Sequence, residues 1–131
     1  LLIQADRCNV PLKSDRMENK IGHWERVISA SCEQCGQLYL PELVGPQTLE
    51  EAINQTENGM VFSPLGESFP AQMQPVNRTA FVGPEGGWSD KELDLFQQRQ
   101  IPSYKLGRTI LRAETMPSVA LGLIQQAQGW H

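Results

Sequence analysis

Residues 79 to 87, Thr79-Ala-Phe-Val-Gly-Pro-Glu-Gly-Gly87, decide how this chain folds. Thr79 to Val82 form a short apolar, β-prone run bounded by Gly83 and Pro84, the pattern of a strand buried between helices. Gly83, Gly86 and Gly87 carry no Cβ, which lets the backbone reach positive φ and lets a ligand come close to main-chain groups. Pro84 fixes its own φ and biases its predecessor toward an extended conformation. Ser89-Asp-Lys-Glu92 then reads as a capping box, with Ser89 as N-cap and Glu92 reaching back. It opens a helix whose apolar positions are Leu93, Leu95 and Phe96. Strand, glycine turn and helix in that order predict an α/β fold. They also hold Glu85 on a constrained loop at the carboxyl end of a strand, where open α/β sheets bind ligands.

The turn is not a Walker A loop, because no Gly-Lys-Ser/Thr follows, and it lacks the Gly-x-Gly-x-x-Gly spacing of dinucleotide sites. The layout nevertheless repeats downstream. Ser103 to Leu106 reads as another strand, Gly107 ends it, and Thr109 to Thr115 leads into a helix with Pro117 in its first turn and Val119, Leu121, Leu123 and Ile124 along it. Two such turns side by side make a small-molecule pocket.

Farther out, Leu1 to Ile3 reads as a buried strand. Asn19 to Gln34 reads as an amphipathic helix with Ile21, Trp24, Val27, Ile28 and Cys32 on one face, ended by Gly36. Leu38 to Leu40 is expected to be a short strand stopped by Pro41, and Thr48-Leu-Glu-Glu51 a second capping box opening a short helix. Met60 to Phe62 is a further strand expected to end at Ser63-Pro64, and Leu65 to Arg78 is expected to be a mobile loop or irregular helix. Five strands alternating with helices imply a mainly parallel sheet.

Gly83-Pro-Glu-Gly-Gly-Trp-Ser89 together with Leu106-Gly-Arg-Thr-Ile-Leu-Arg-Ala-Glu-Thr115 closely resembles the carboxyl-terminal pattern of the ribosomal RNA small-subunit uridine N3-methyltransferases, members of the SPOUT superfamily. Asp6-Arg-Cys-Asn-Val10, Trp24-Glu-Arg-Val-Ile28 and Glu33-Gln-Cys-Gly-Gln37 are similar to earlier segments of that family, in the right order. Gln37 stands where many members carry a basic residue, and Trp88 where Phe is more usual.

The resemblance implies a mainly parallel sheet flanked by helices with a carboxyl-terminal trefoil knot, over one domain at residues 1–131. It also implies a small PUA-like RNA-binding domain, and a first strand and helix of the sheet, ahead of Leu1, so that the chain reads as an amino-terminally truncated piece. The implied cofactor is S-adenosylmethionine, held by Ser63, Pro64, Gly83, Glu85, Gly86, Gly87, Leu106, Gly107, Ile110, Leu111 and Arg112. The implied reaction is methylation of N3 of a uridine in 16S ribosomal RNA by a cytoplasmic homodimer. Arg7 and Arg112 are the candidates for holding a phosphate or stabilising a uracil oxygen, and Glu114 or Glu85 for acting as base or orienting an arginine. A dimerising, cofactor-binding piece without activity of its own, and an unrelated nucleotide-binding α/β domain, are the other readings.

At 131 residues, 40% hydrophobic and 20% charged, the chain holds a single core. No apolar run is long enough for a membrane span, and no signal-peptide pattern is present. The formal charge of -4 means that the electrostatics of RNA binding must come from local clusters such as Arg108 with Arg112, from a second protomer or from another domain. Cys32-Glu-Gln-Cys35 has the spacing of a redox pair or half a zinc site. Neither His23 nor His131 has ligand spacing to it, so a packing role in the last turn of a helix is expected and no metal is implied.

Overall fold

The computed structural model describes residues 1–8 and 15–129, the side chains of 15 and 16 excepted. The order of elements is β1 (Ile3–Gln4), α1 (Asp15–Cys35), β2 (Gln47–Thr48), α2 (Leu49–Asn54), β3 (Gly59–Ser68), β4 (Thr79–Val82), α3 (Asp90–Gln98), β5 (Ser103–Lys105) and α4 (Met116–Ala127). All strand pairs are parallel. β1 pairs with β2, and a separate three-stranded sheet has the order β4-β3-β5.

The central sheet is covered on both faces, as alternation along β3 dictates. Met60 and Phe62 pack with Leu106 and with Ala120 and Ile124 of α4. Val61 points the other way, into a cluster with Ala5, Leu49, Ala52, Ile53, Phe81, Trp88 and Phe96. In that second cluster the Phe96 ring lies edge-on to both Phe81 and Trp88, each with centroids 5.1 Å apart.

Both capping boxes form. The Thr48 hydroxyl accepts from Glu51 N-H at the start of α2, and the Ser89 hydroxyl accepts from Glu92 N-H at the start of α3. α4 carries Pro117 in its first turn, where a missing N-H costs nothing. Helix α1 begins at Asp15, earlier than the periodicity predicts, and Val27 remains 49% exposed on it while Cys32 is buried.

Three expectations are corrected. Leu38 to Leu40 is not a strand: the run is open to solvent, Leu38 at 90%, and the second strand is the polar pair Gln47–Thr48, selected by the partner Ile3–Gln4. β3 does not end at Ser63-Pro64. It pairs Phe62 with Tyr104 of β5, loops out over Ser63 to Gly66, and resumes with Glu67 opposite the same Tyr104 and Ser68 opposite Lys105. Pro64, which has no N-H to give a ladder, sits in the looped-out residues. Gly66 allows the return, because a Cβ there would lie 2.6 Å from Tyr104 N. The segment after β3 is not loose either. Met73 N-H donates to the Ala127 carbonyl at 2.8 Å, and the Gln128 side-chain amide donates to the carbonyls of Gln74 and Val76 at 3.2 and 2.7 Å, which ties the segment to the end of α4.

Candidate cofactor cleft

Three chain segments converge at the carboxyl ends of β3, β4 and β5: the looped-out Ser63 to Leu65, the glycine turn Gly83 to Trp88, and the strap Lys105 to Leu111. They enclose a cleft of about 690 Å³, completed by Arg7, Leu93 and Met116 among others, a size suited to a ligand of cofactor dimensions. The parallel sheet accounts for this convergence, since every strand that ends here must turn at the same edge.

Each turn has its own reason for glycine. Of the three glycines in the first turn only Gly87 has positive φ, at 68°. Gly83 is closely packed, because a Cβ there would lie 3.1 Å from the indole of Trp88, which is buried and donates Nε1-H to the Phe62 carbonyl at 3.1 Å. Gly86 is crowded by Arg7, whose Cβ would be 3.1 Å away from a Cβ at 86. The expectation of positive φ is thus corrected for Gly83 and Gly86. In the strap, Gly107 has φ of 76° and open space where a Cβ would stand, so its need is conformational.

Ten of the residues expected to hold a cofactor line the cleft: Ser63, Pro64, Gly83, Glu85, Gly86, Gly87, Leu106, Gly107, Ile110 and Leu111. Arg112 is not among the lining residues, and neither is Glu114. Their side chains are 86% and 65% exposed and form an ion pair with each other at 3.8 Å. Arg7 does line it, and its Nη1 donates to the Gly86 carbonyl at 2.8 Å. Among the described residues Arg7 has no other hydrogen bond and no ion pair, so the remaining guanidinium donors are available to a ligand.

Sequence reasoning about the site did not include Leu65, Trp88 or Met116, and gave Arg108 no role in holding the cofactor, yet all four line the cleft. Trp88 had a readable signal, since a bulky aromatic directly after paired glycines must find a seat beneath them. Arg108 had one in its place directly after Gly107. With Arg7, Lys105 and Arg108 against Glu85 and Asp90, the lining carries more positive than negative side chains in a chain of net charge -4. Two apolar side chains of the lining stand open to solvent, Leu65 at 86% and Ile110 at 81%.

The cysteines take no part in this cleft. All three described are free thiols, and Cys35 Sγ donates to the Cys32 carbonyl at 3.6 Å within the helix end. Among the described residues no group of three or more His, Cys, Asp or Glu side chains is arranged to hold a metal ion, and no helix is long and apolar enough to cross a membrane.

Comparison with known proteins places this geometry. The model of a family described as an RNA methyltransferase domain matches residues 1–125. A ribosomal RNA small subunit methyltransferase E from Synechocystis is 31% identical over 117 residues, 82% of this chain and 39% of that protein. The protein of the same name from Buchnera aphidicola is 31% identical over 128 residues, 92% of this chain and 51% of its own length. The chain therefore spans about half the length, or less, of these relatives. Among solved structures, a putative methyltransferase from Legionella pneumophila in complex with the bound cofactor SAM superposes with a TM-score of 0.86 at 30% identity, covering 95% of this chain and 53% of that one. A ribosomal RNA small subunit methyltransferase E from Neisseria gonorrhoeae bound to S-adenosyl methionine does so with a TM-score of 0.83 at 25% identity, covering 94% and 52%. With a family match over nearly its whole length, relatives of one name and a cleft where the sheet's carboxyl edge turns, this chain belongs to the RNA methyltransferase family.

Proposed function

We propose that the chain is the catalytic part of an S-adenosylmethionine-dependent methyltransferase acting on N3 of a uridine in 16S ribosomal RNA. The observation that carries the reading is the cleft itself: two glycine turns and a strand excursion meet there, in a fold shared with proteins solved with that cofactor bound. The residues fit the group. Main-chain groups at Gly107 are free of side-chain cover, and the exposed Leu65 and Ile110 offer apolar contact to a flat ring that would shield them.

The cofactor supplies a methyl group on a sulfonium, already a strong electrophile. The chain's own task is to hold donor and acceptor in line and to ease loss of the proton on the uracil nitrogen. The target base must be unstacked to enter. Arg7, which has no ion pair among the described residues and lies in the lining, is proposed to stabilise negative charge developing on a uracil oxygen. Arg112 and Glu114, paired outside the lining, are proposed to meet the RNA at the rim, with Glu85 inside the cleft as the alternative base. A homodimer, a trefoil knot at the carboxyl end and a cytoplasmic location complete the proposal.

Calorimetry tests it directly. S-adenosylmethionine and S-adenosylhomocysteine are expected to bind and nucleoside phosphates not to, followed by methyl transfer to small-subunit RNA in the intact protein. Binding of nucleoside phosphates alone would make this a different α/β nucleotide site.

A further inference from the structure

The capping box of α3 does more than cap. Such a box needs one carboxylate oxygen, and Glu92 Oε2 supplies it by accepting from Ser89 N-H at 2.7 Å. Glu92 is nevertheless buried, and its second oxygen, Oε1, accepts from the backbone N-H of Asp6 at 2.9 Å, across 86 residues of sequence. Ser89 is shared in the same way. Its hydroxyl accepts from Glu92 N-H at 3.2 Å and spends its own proton on Asp6 Oδ2 at 2.6 Å. The turn after β1, closed by Cys8 N-H on the Ala5 carbonyl at 3.1 Å, is thereby fastened to the start of α3 through both its main chain and its side chain. The next residue is Arg7, whose tip is held by the Gly86 carbonyl. Arg7 is thus held from two sides, through the Asp6 backbone just before it by Glu92 and at its guanidinium by the glycine turn.

We infer that Glu92 is a positioning residue for methyl transfer: through Asp6 it sets where the Arg7 guanidinium stands in the cleft. The inference rests on the methyl-transfer reading of the cleft and deepens it. Charge-assisted bonds to a buried carboxylate are short and strong, so the fastening is stiffer than loop contacts ordinarily are. A displacement of about 1 Å at a catalytic group is enough to slow a reaction roughly a hundredfold.

The test is a double-mutant cycle in the intact protein, with folding checked by circular dichroism and donor affinity by calorimetry. Glu92→Gln, which leaves a single amide oxygen to accept from the two N-H groups and turns an NH2 donor toward the other, is expected to lower kcat about tenfold with KM for the methyl donor changed less than threefold. In an Arg7→Ala background the same change is expected to lower kcat less than twofold, because the residue it positions is gone. A further tenfold loss in that background, or an unchanged kcat in the wild-type background, overturns the inference. Should Glu92→Gln fail to fold, Asp6→Ala removes only the acceptor of the Ser89 proton from an exposed side chain. It is expected to lower kcat about threefold alone and not at all beside Arg7→Ala, and additivity overturns the inference equally. If wild-type protein binds no methyl donor, the methyl-transfer reading fails instead, which the calorimetry separates from failure of the positioning role.

Discussion

Thr48 with Glu51 at the start of α2, and Ser89 with Glu92 at the start of α3, are the same four-residue device in two settings. At α2 the exchange is closed on itself. Glu51 Oε2 accepts from both the N-H and the hydroxyl of Thr48, each at 2.8 Å, and all of it is exposed. At α3 the serine hydroxyl still accepts from Glu92 N-H but gives its proton to Asp6 rather than to the glutamate, whose second oxygen accepts from Asp6 N-H. The difference teaches that a local signal fixes where a helix begins but not what else its capping atoms hold. That depends on which loop the sheet brings alongside, and here it is the loop bearing Arg7.

The sharpest way to break this comparison is to truncate both glutamates. Glu92→Ala strands two backbone N-H groups in a packed setting and is expected to cost about 2 kcal/mol of unfolding free energy. Glu51→Ala is expected to lower stability by a clearly smaller amount, because water replaces its bonds. Chemical denaturation of both variants settles it, and equal losses would erase the distinction. Next in size, Gly86→Val drives branched bulk into Arg7 and the glycine turn, and calorimetry is expected to show at least a tenfold loss of cofactor affinity, about 1.4 kcal/mol. Unchanged affinity would detach the α3 side of the comparison from the cleft.

The smallest effect concerns pH. The bonds from Thr48 backbone and side chain hold the Glu51 carboxyl below its ordinary value of 4.5. A depressed folded-state pKa means that this contribution is complete above the ordinary value and is lost as pH falls through the lowered one. Amide protection factors at the first turn of α2, corrected for the intrinsic pH dependence of exchange, are therefore expected to fall on acidification in that window, and the fall should vanish in Glu51→Gln. Persistence in the variant would mean that some other group governs the fraying.

Much of this was legible because it is written locally. Both capping boxes, the strand Thr79–Val82 and the helix through Pro117 follow from neighbouring residues, and ten lining residues could be named from two glycine turns and a resemblance. What was not legible depends on distant partners. Leu38 to Leu40 has the look of a strand but lacks a neighbour to pair with, whereas Gln47–Thr48 becomes one because Ile3–Gln4 lies beside it. The glycines at 83 and 86 are crowded by Trp88 and Arg7, contacts made by tertiary packing. Arg112 shares its segment with lining residues yet sits outside them, since which side of a strap faces inward is not written in its sequence.

The excursion in β3 has a further meaning. Because Tyr104 serves as register partner both where the strand leaves and where it rejoins, the intervening four residues are excess length that the sheet does not count. Residues can be added to or removed from that stitch without displacing a single rung on either side. On this fold the mouth of the cleft is therefore open to retailoring, wider or narrower, while the frame behind it stays as it is.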